Sequence, residues 1–297
     1  MSSSYHNTQN WLLLSLLTLI WGSSYILIKK GLIAFTPLEL ASLRIAVSFV
    51  CALPFAVKAW KTVSREKLPT IFQIGIFGSG APAFLFALSM THSGSAINGI
   101  INSLSPLWTL VIGYYLFSIG VTASKVAGIV IGFMGAVVLV LGKTESAFGS
   151  LTGTDLFYSL LPVAATFCYG MSTNITKQKL QNENPLYTTS IAMFMIGVPA
   201  TVIFLAGEAP AKILAGTAWF PLLSIVALSV LGTFVAWILF YRLVQRTDAL
   251  FAASVTYLIP IVAMGWGFFD GEVLGLVQLF GLALILAGVA LVSKKEV

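Results

Sequence analysis

Charge is scarce in this sequence. Asp, Glu, Lys and Arg make up 9% of its 297 residues, against roughly a quarter in a soluble globular domain. Hydrophobic residues make up 58%. No soluble fold of this size hides so much apolar surface, because surface area scales too steeply with mass. The shortage of charge excludes an ordinary water-soluble domain and makes lipid the solvent for most of the chain.

Other shortages narrow the reading. The two cysteines, Cys51 and Cys168, sit inside apolar runs, which speaks against a disulfide framework and leaves them as small buried side chains. His92 is the one histidine beyond the N-terminal tail. A membrane enzyme would need paired acids, histidines or cysteines, and these residues offer little of that. No acidic residue falls at the centre of an apolar run, since Glu39, Asp155, Asp248, Asp270 and Glu272 lie toward run ends. An obvious midplane proton relay is therefore missing. There is no G-x-x-x-x-G-K-[ST] loop for a nucleotide, and the short connectors leave no soluble domain to carry one. No cofactor or metal is expected. The first apolar run lacks a basic n-region and an A-x-A site, so it reads as a retained helix.

What the chain has is long apolar runs. Ten stretches, about 11–29, 37–57, 69–90, 95–117, 123–142, 155–175, 186–206, 219–241, 249–269 and 273–292, contain few ionisable residues. At 1.5 Å per residue, about 20 residues cross a hydrocarbon core of roughly 30 Å. Barrel strands would alternate with period two, and runs such as Val126 to Leu141 do not. The expected fold class is an all-α polytopic membrane protein with ten transmembrane helices.

The formal charge is +6, but most Lys and Arg flank the runs, so headgroup anchoring is favoured over nucleic-acid binding. With the N-terminus cytoplasmic, the inside connectors and tail carry eleven basic residues: Lys58, Lys61, Arg65, Lys67, Lys125, Lys177, Lys179, Arg242, Arg246, Lys294 and Lys295. The outside connectors carry four: Lys29, Lys30, Lys143 and Lys212. The bias places both termini in the cytoplasm of a plasma (bacterial inner) membrane protein.

The chain also resembles itself. A shift of 148 lays Trp21-Gly22 on Tyr169-Gly170, Lys29 on Lys177 and Pro37 on Pro185. A shift of 154 lays Gly78 on Gly232 and Pro106 on Pro260, and one of 153 lays Gly128 on Gly281 and Gly135 on Gly288. Halves of five helices each must insert with opposite orientation, the inverted repeat of many secondary transporters. The expected division is 1–147 and 148–297, joined through the connector at 143–154.

Polar side chains inside the runs mark where function sits. Ser95, Asn98, Asn102, Ser105 and Thr109 recur at intervals of three and four, along one helical face. Such a face avoids lipid and looks toward other helices or water, as a cavity wall or as helix–helix glue. Trp21, Tyr25, Tyr169, Trp237 and Tyr257 join Asn98 and Asn102 as candidate cavity residues, because an aromatic with one polar atom can stack on a solute and still hydrogen-bond. Thr18, Thr166, Thr173, Thr233 and Ser254 lie on the same faces. Tyr241 and Trp219, near run ends, read as interface anchors.

Pro106 and Pro260 read as paired helix bends. Gly128, Gly132 and Gly135 form a close-packing face for a scaffold or a dimer, as do Gly281 and Gly288. Arg44 lies a third of the way into the second run, and an arginine there must snorkel, meet an acceptor or face water. Lys29 and Arg44 together read as a charged outer region. His92 sits at a helix end.

In these features the chain resembles the drug/metabolite transporter superfamily, in its EamA group of ten-helix exporters. The resembling pieces are WGSSYILIKKGL at 21–32, TPLELASLRIA at 36–46, SGSAINGIINSLSPLWTLVIGYYLF at 93–117 and KVAGIVIGFMGAVVLVLG at 125–142. The second half adds DALFAASVTYLIPIVAMGWGFFDGEVLG at 248–275 and LFGLALILAGVALV at 279–292. The family often places Glu nine residues before the packing glycine of each half. Glu272 stands so before Gly281, whereas Ile119 occupies the matching place before Gly128, so Glu272 reads as structural.

The resemblance implies a basket of helices around a central cavity, with the fifth and tenth helices peripheral. It implies a secondary transporter of small organic metabolites, amino acids or related compounds, working by alternating access and usually outward. Its partners are then a small-molecule substrate and the lipid bilayer, with proton coupling left open and the chain a monomer or a homodimer. Uptake of a metabolite or nucleotide-like solute fits the same architecture, and a non-transporting scaffold, channel or membrane enzyme is the further alternative.

Overall fold

The computed structural model describes residues 8–92, 95–141, 153–216, 218–269 and 276–292. All the regular structure in them is helical. The helical stretches are α1 (Thr8–Gly31), α2 (Pro37–Thr62), α3 (Arg65–Ser89), α4 (95–117), α5 (Ala123–Leu141), α6 (Gly153–Lys179), α7 (Pro185–Ala206), α8 (Trp219–Arg246), α9 (249–269) and α10 (Leu276–Val292). A short helix, Ala209–Leu214, lies between α7 and α8. The protein is therefore an all-α polytopic membrane protein.

Five of these stretches, α1, α2, α3, α7 and α8, are long and apolar enough to cross a bilayer. That is fewer than the ten expected, counted among the described residues, where Ser105–Phe117, Ala123–Val138, Ala249–Val262 and Phe280–Val292 are shorter apolar helices. The fourth stretch is interrupted at Ser103-Leu104 and the ninth at Ser254. The connector at 143–152, the acids Asp270 and Glu272, and the tail lysines Lys294 and Lys295 lie outside the described residues, as does Lys143.

Local chemistry explains the helix starts. The second stretch opens on a capping box, in which Thr36 Oγ1 accepts from Glu39 N at 3.3 Å and Thr36 N donates to Glu39 Oε2 at 2.8 Å, with Pro37 in the first turn. Asn184 Oδ1 accepts from Leu186 N at 2.9 Å before α7, and Asp248 Oδ1 accepts from Phe251 N at 2.7 Å before α9. Pro106 stands in the first turn of the segment after the interruption of α4, so it starts a helix there. Pro260 is interior to its helix. Neither role was separable from the other in the sequence.

Two π-helical turns interrupt α3 and α8, at Ile76–Gly80 and Val230–Val235. Each inserts residues that a regular 3.6-residue reading does not anticipate, and such turns concentrate at functional sites. The turn in α3 contains Gly78, and a side chain there would meet Ser172 Oγ at 2.8 Å and Tyr241 Oη at 2.9 Å. Tyr241 is accordingly buried, donating to Ile74 O at 3.4 Å, and is not the interface anchor its place near a run end suggested. Trp219 is exposed.

The helices pack in a definite pattern. The most extensive interfaces pair α5 with α10 and α2 with α7, while α1 lies on α8 and α9, and α6 lies on α3 and α4. The glycine face of α5 is taken up by α10 of the same chain. A Cβ on Gly288 would come within 2.5 Å of Gly132 N, and one on Gly135 within 2.9 Å of Gly281 O. Hydrogen at those positions is what lets two backbones touch without a hydrophobic drive between helices. Replacing Gly288 with leucine should separate them and destabilise the pair by about 1–3 kcal/mol or more. The expected outcome is a lower thermal unfolding midpoint in detergent, with Gly288→Ala intermediate.

Candidate functional site

Between α1, α2, α3, α4, α6, α8 and α9 lies a cavity with about 730 Å³ of empty space, including the part open to solvent. An aromatic cluster forms much of its wall. Trp21 meets Trp237 at 5.7 Å and Phe240 at 5.2 Å between ring centroids, Tyr169 meets Trp237 at 5.9 Å, and Phe86 stacks on Tyr169 at 6.0 Å. Trp21 is fixed by its indole, which donates to Gly232 O in the π turn of α8 at 3.0 Å. Tyr25 lines the same space one turn beyond Trp21.

The remaining wall mixes apolar Ile28, Ala253 and Ile259 with polar side chains and is uncharged except at one point. Ser24, Asn102, Ser105, Thr173 and Thr256 line it. Four of their hydroxyls give their proton to a nearby carbonyl of their own helix: Ser24 to Ile20 O, Ser105 to Asn102 O, Thr173 to Tyr169 O and Thr256 to Ala253 O, at 2.7–3.1 Å. Their oxygens keep lone pairs, so this wall can accept hydrogen bonds from a solute. The Ser105 bond also serves the backbone, because Pro106 has no N–H for the Asn102 carbonyl.

The charged point is Arg44. It lines the cavity, where the sequence had suggested an outer region, and Lys29 lines a separate hollow with Leu32, Thr36, Met90 and Thr91. Arg44 Nε donates to Thr233 Oγ1 at 2.6 Å, and Thr233 Oγ1 donates on to Leu228 O at 3.3 Å, five residues back in the π turn. Ser48 Oγ is shared between Arg44 O and Ser229 O, tying α2 to α8 at the same level. Glu39 does not reach Arg44, because both its carboxylate oxygens are taken by Lys212 Nζ, at 3.1 and 2.8 Å.

The other expected site residues fall outside this wall. Asn98 is fully buried and does not line the cavity, although it stands four residues before Asn102 in the same helical segment, Ser95–Asn102. Thr109 is buried against α6, with its carbonyl accepting from Asn174 Nδ2 at 2.9 Å. Tyr257 points into α5 instead, where its hydroxyl donates to Ile129 O at 2.8 Å and its ring covers Gly132. His92 is exposed, bonded to Thr91 Oγ1 through Nδ1 at 2.8 Å and stacked on Tyr158. Phe86, Phe240, Ala253 and Ile259 line the cavity without having drawn attention in the sequence. A shift of 154 relates Phe86 to Phe240 and would have pointed to both.

A polytopic helical membrane protein with an aromatic and polar cavity at the meeting of seven helices is the class these features define. The EamA-like transporter family model matches residues 9–141 and again 156–294, and the chain belongs to that family. It is similar to an uncharacterized transporter of Archaeoglobus fulgidus, at 27% identity over 97% of this chain and 100% of the relative. It is similar also to a protein of Salmonella typhimurium described as a "probable amino-acid metabolite efflux pump", at 25% identity over 92% and 91% of the two chains. A crystal structure at 17% identity superposes with a TM-score of 0.73 over 96% of each chain, a likeness of fold. The resemblance read from the sequence is thus borne out, and the protein is a membrane transporter. Family and relatives are transporters, not enzymes, and among the described residues no group of three or more His, Cys, Asp or Glu could hold a metal.

Replacing Thr233 with valine removes the acceptor of Arg44 Nε while keeping the shape of the side chain. The loss should be about 1–3 kcal/mol, the range for stranding a charged hydrogen-bond donor. Thermal unfolding of the purified protein checks this, with Thr233→Ser expected to stay near the wild type.

Proposed function

We propose that the chain is a secondary carrier that exports small organic metabolites, amino acids or related compounds, across the inner membrane by alternating access. The observation that carries this reading is the make-up of the cavity wall. Trp21 and Tyr25 have counterparts in Tyr169 and Thr173 at a shift of 148, and Phe86, Asn102 and Ser105 have theirs in Phe240, Thr256 and Ile259 at 154. All ten residues line the one cavity. A site built from equivalent positions of two halves is the arrangement around which repeats rock in secondary transporters.

Ten crossings in two oppositely inserted halves, 1–147 and 148–297, belong to the same proposal. In its favour, exchanging the halves leaves the packing pattern unchanged: α5 still faces α10, α2 still faces α7, and the contacts of α1 with α8 and α9 become those of α6 with α3 and α4. The π turns at Ile76–Gly80 and Val230–Val235 are also separated by 154. The family model matching twice agrees with this division. The cavity is complete within one chain, which favours the monomer as the transporting unit. Outward movement follows the description of the Salmonella relative.

Transport by purified protein in proteoliposomes, across amino acids and related solutes and with and without an imposed pH gradient, tests the proposal. Saturable counterflow of at least one solute is the expected result, and its acceleration by the gradient would establish proton coupling. Absence of any saturable flux from folded protein refutes the carrier reading. Asn102→Ala should lower the flux about fivefold or more, the effect of one hydrogen bond of about 1 kcal/mol, with insertion intact.

Orientation has its own check. Reporter fusions at either terminus should both read as cytoplasmic, and an external reading at one end would contradict an even number of crossings.

A further inference from the structure

We propose that Arg44 is the residue that selects cargo by charge, seating the carboxylate of a solute with one negative charge, and that an ammonium on the same solute is dispensable. This rests on the carrier reading above and narrows its substrate class. The argument is one of charge balance. Arg44 is the one ionisable cation or anion among the described residues lining the cavity apart from its tyrosines. Its Nε is held by Thr233 Oγ1, which fixes the guanidinium and leaves the two terminal nitrogens without a protein acceptor among the described residues. A planar fork held at one edge is set up for bidentate contact with a carboxylate.

Among the described residues no carboxylate lines the cavity beside Arg44. The acid nearest in sequence on the same helix, Glu39, is engaged by Lys212 and by the Thr36 amide. Asp248 is engaged by Lys125 at 3.1 Å and caps α9. No acidic residue of the sequence lies at the centre of an apolar run. A charge kept unpaired inside a membrane protein is costly and marks a functional position.

The position at a shift of 148 from Arg44 is Ala192, so the wall has its cation on one side only. One guanidinium neutralises one negative charge. A dianion would leave a negative charge uncompensated, and an amine without a carboxylate would meet the guanidinium as a like charge. The lone pairs of Ser24, Ser105, Thr173 and Thr256 can receive an amino or hydroxyl group but do not demand one. Phe86, Tyr169, Trp21, Trp237 and Phe240 suit an apolar or aromatic remainder.

Calorimetric titration of the protein in lipid nanodiscs with a matched series tests this. The probes are 3-phenylpropionate, its amide, phenylalanine, phenethylamine and benzylmalonate. We expect 3-phenylpropionate to bind about tenfold or more tighter than the amide, phenethylamine and benzylmalonate, the range of a desolvated charged hydrogen bond, with phenylalanine no tighter than 3-phenylpropionate. In Arg44→Gln the ratio of acid to amide should fall toward one, and Arg44→Lys should restore part of it. A purely structural arginine would weaken both probes alike. Equal binding of acid and amide in the wild type, or binding of phenylalanine without 3-phenylpropionate, overturns the proposal whether or not Arg44→Gln folds. If none of the probes binds while counterflow of another solute is saturable, the charge rule fails and the carrier reading stands. If counterflow is absent as well, both fail.

Discussion

Arg44 Nε and Thr233 Oγ1 meet at 2.6 Å inside the helix bundle. A guanidinium buried among helices has to be held, because neither lipid nor aromatic walls replace the water it gives up. The hold comes from an irregularity of the backbone. The π turn at Val230–Val235 brings Thr233 under the guanidinium and returns its hydroxyl proton to Leu228 O, and the carbonyl of Gly232 in the same turn anchors Trp21. One distorted turn thereby positions both the cation and part of the aromatic wall. The Ser48 bridge from Arg44 O to Ser229 O fixes α2 against α8 at that level.

Around this centre the bundle is held by contacts of a different kind. Backbone-to-backbone approach at Gly132 and Gly288 joins α5 to α10. At the end carrying the N-terminus, Gln245 Nε2 donates to Leu180 O at 2.7 Å and Glu183 O at 2.9 Å, Lys177 donates to Thr247 O, Lys67 donates to Lys179 O, and Arg246 donates to Gln9. Most acceptors here are main-chain carbonyls at helix ends, groups that have no partner within their own helix. Polar side chains thus tie these helix ends together, beside buried Leu180, Leu243 and Val244.

Much of this was legible in the sequence, for physical reasons that are also the limits. Composition identified the solvent, since lipid tolerates apolar side chains that water does not. The glycine spacing of α5 announced a close helix contact, and the partner proved to be α10. Trp21, Tyr25, Asn102, Tyr169 and Trp237 were singled out and do line one cavity. Periodicity was not enough by itself. Asn98 and Asn102 stand four residues apart in the one segment Ser95–Asn102, yet of the two only Asn102 lines the cavity, and the π turn in α3 carries Gly78, whose missing side chain leaves room for Tyr241. Tyr257 has the right composition for a cavity but serves to cover Gly132, a distinction that depends on which neighbour a helix face meets. Arg44 was recognised as anomalous, yet its acceptor lies 189 residues away and no local pattern announces it.

The single cation has an electrical consequence. With its anionic cargo seated, the proposed site is neutral as a whole; empty, it keeps one positive charge within the membrane. A charge carried across the full potential changes energy by about 2.3 kcal/mol per 100 mV. Under that proposal, membrane voltage acts on the empty protein, to the extent that its rocking carries Arg44 through the field, and leaves the loaded one almost untouched. The resting potential of the cell would then bias the return of the empty protein, and with it the side on which the cavity waits for its next solute.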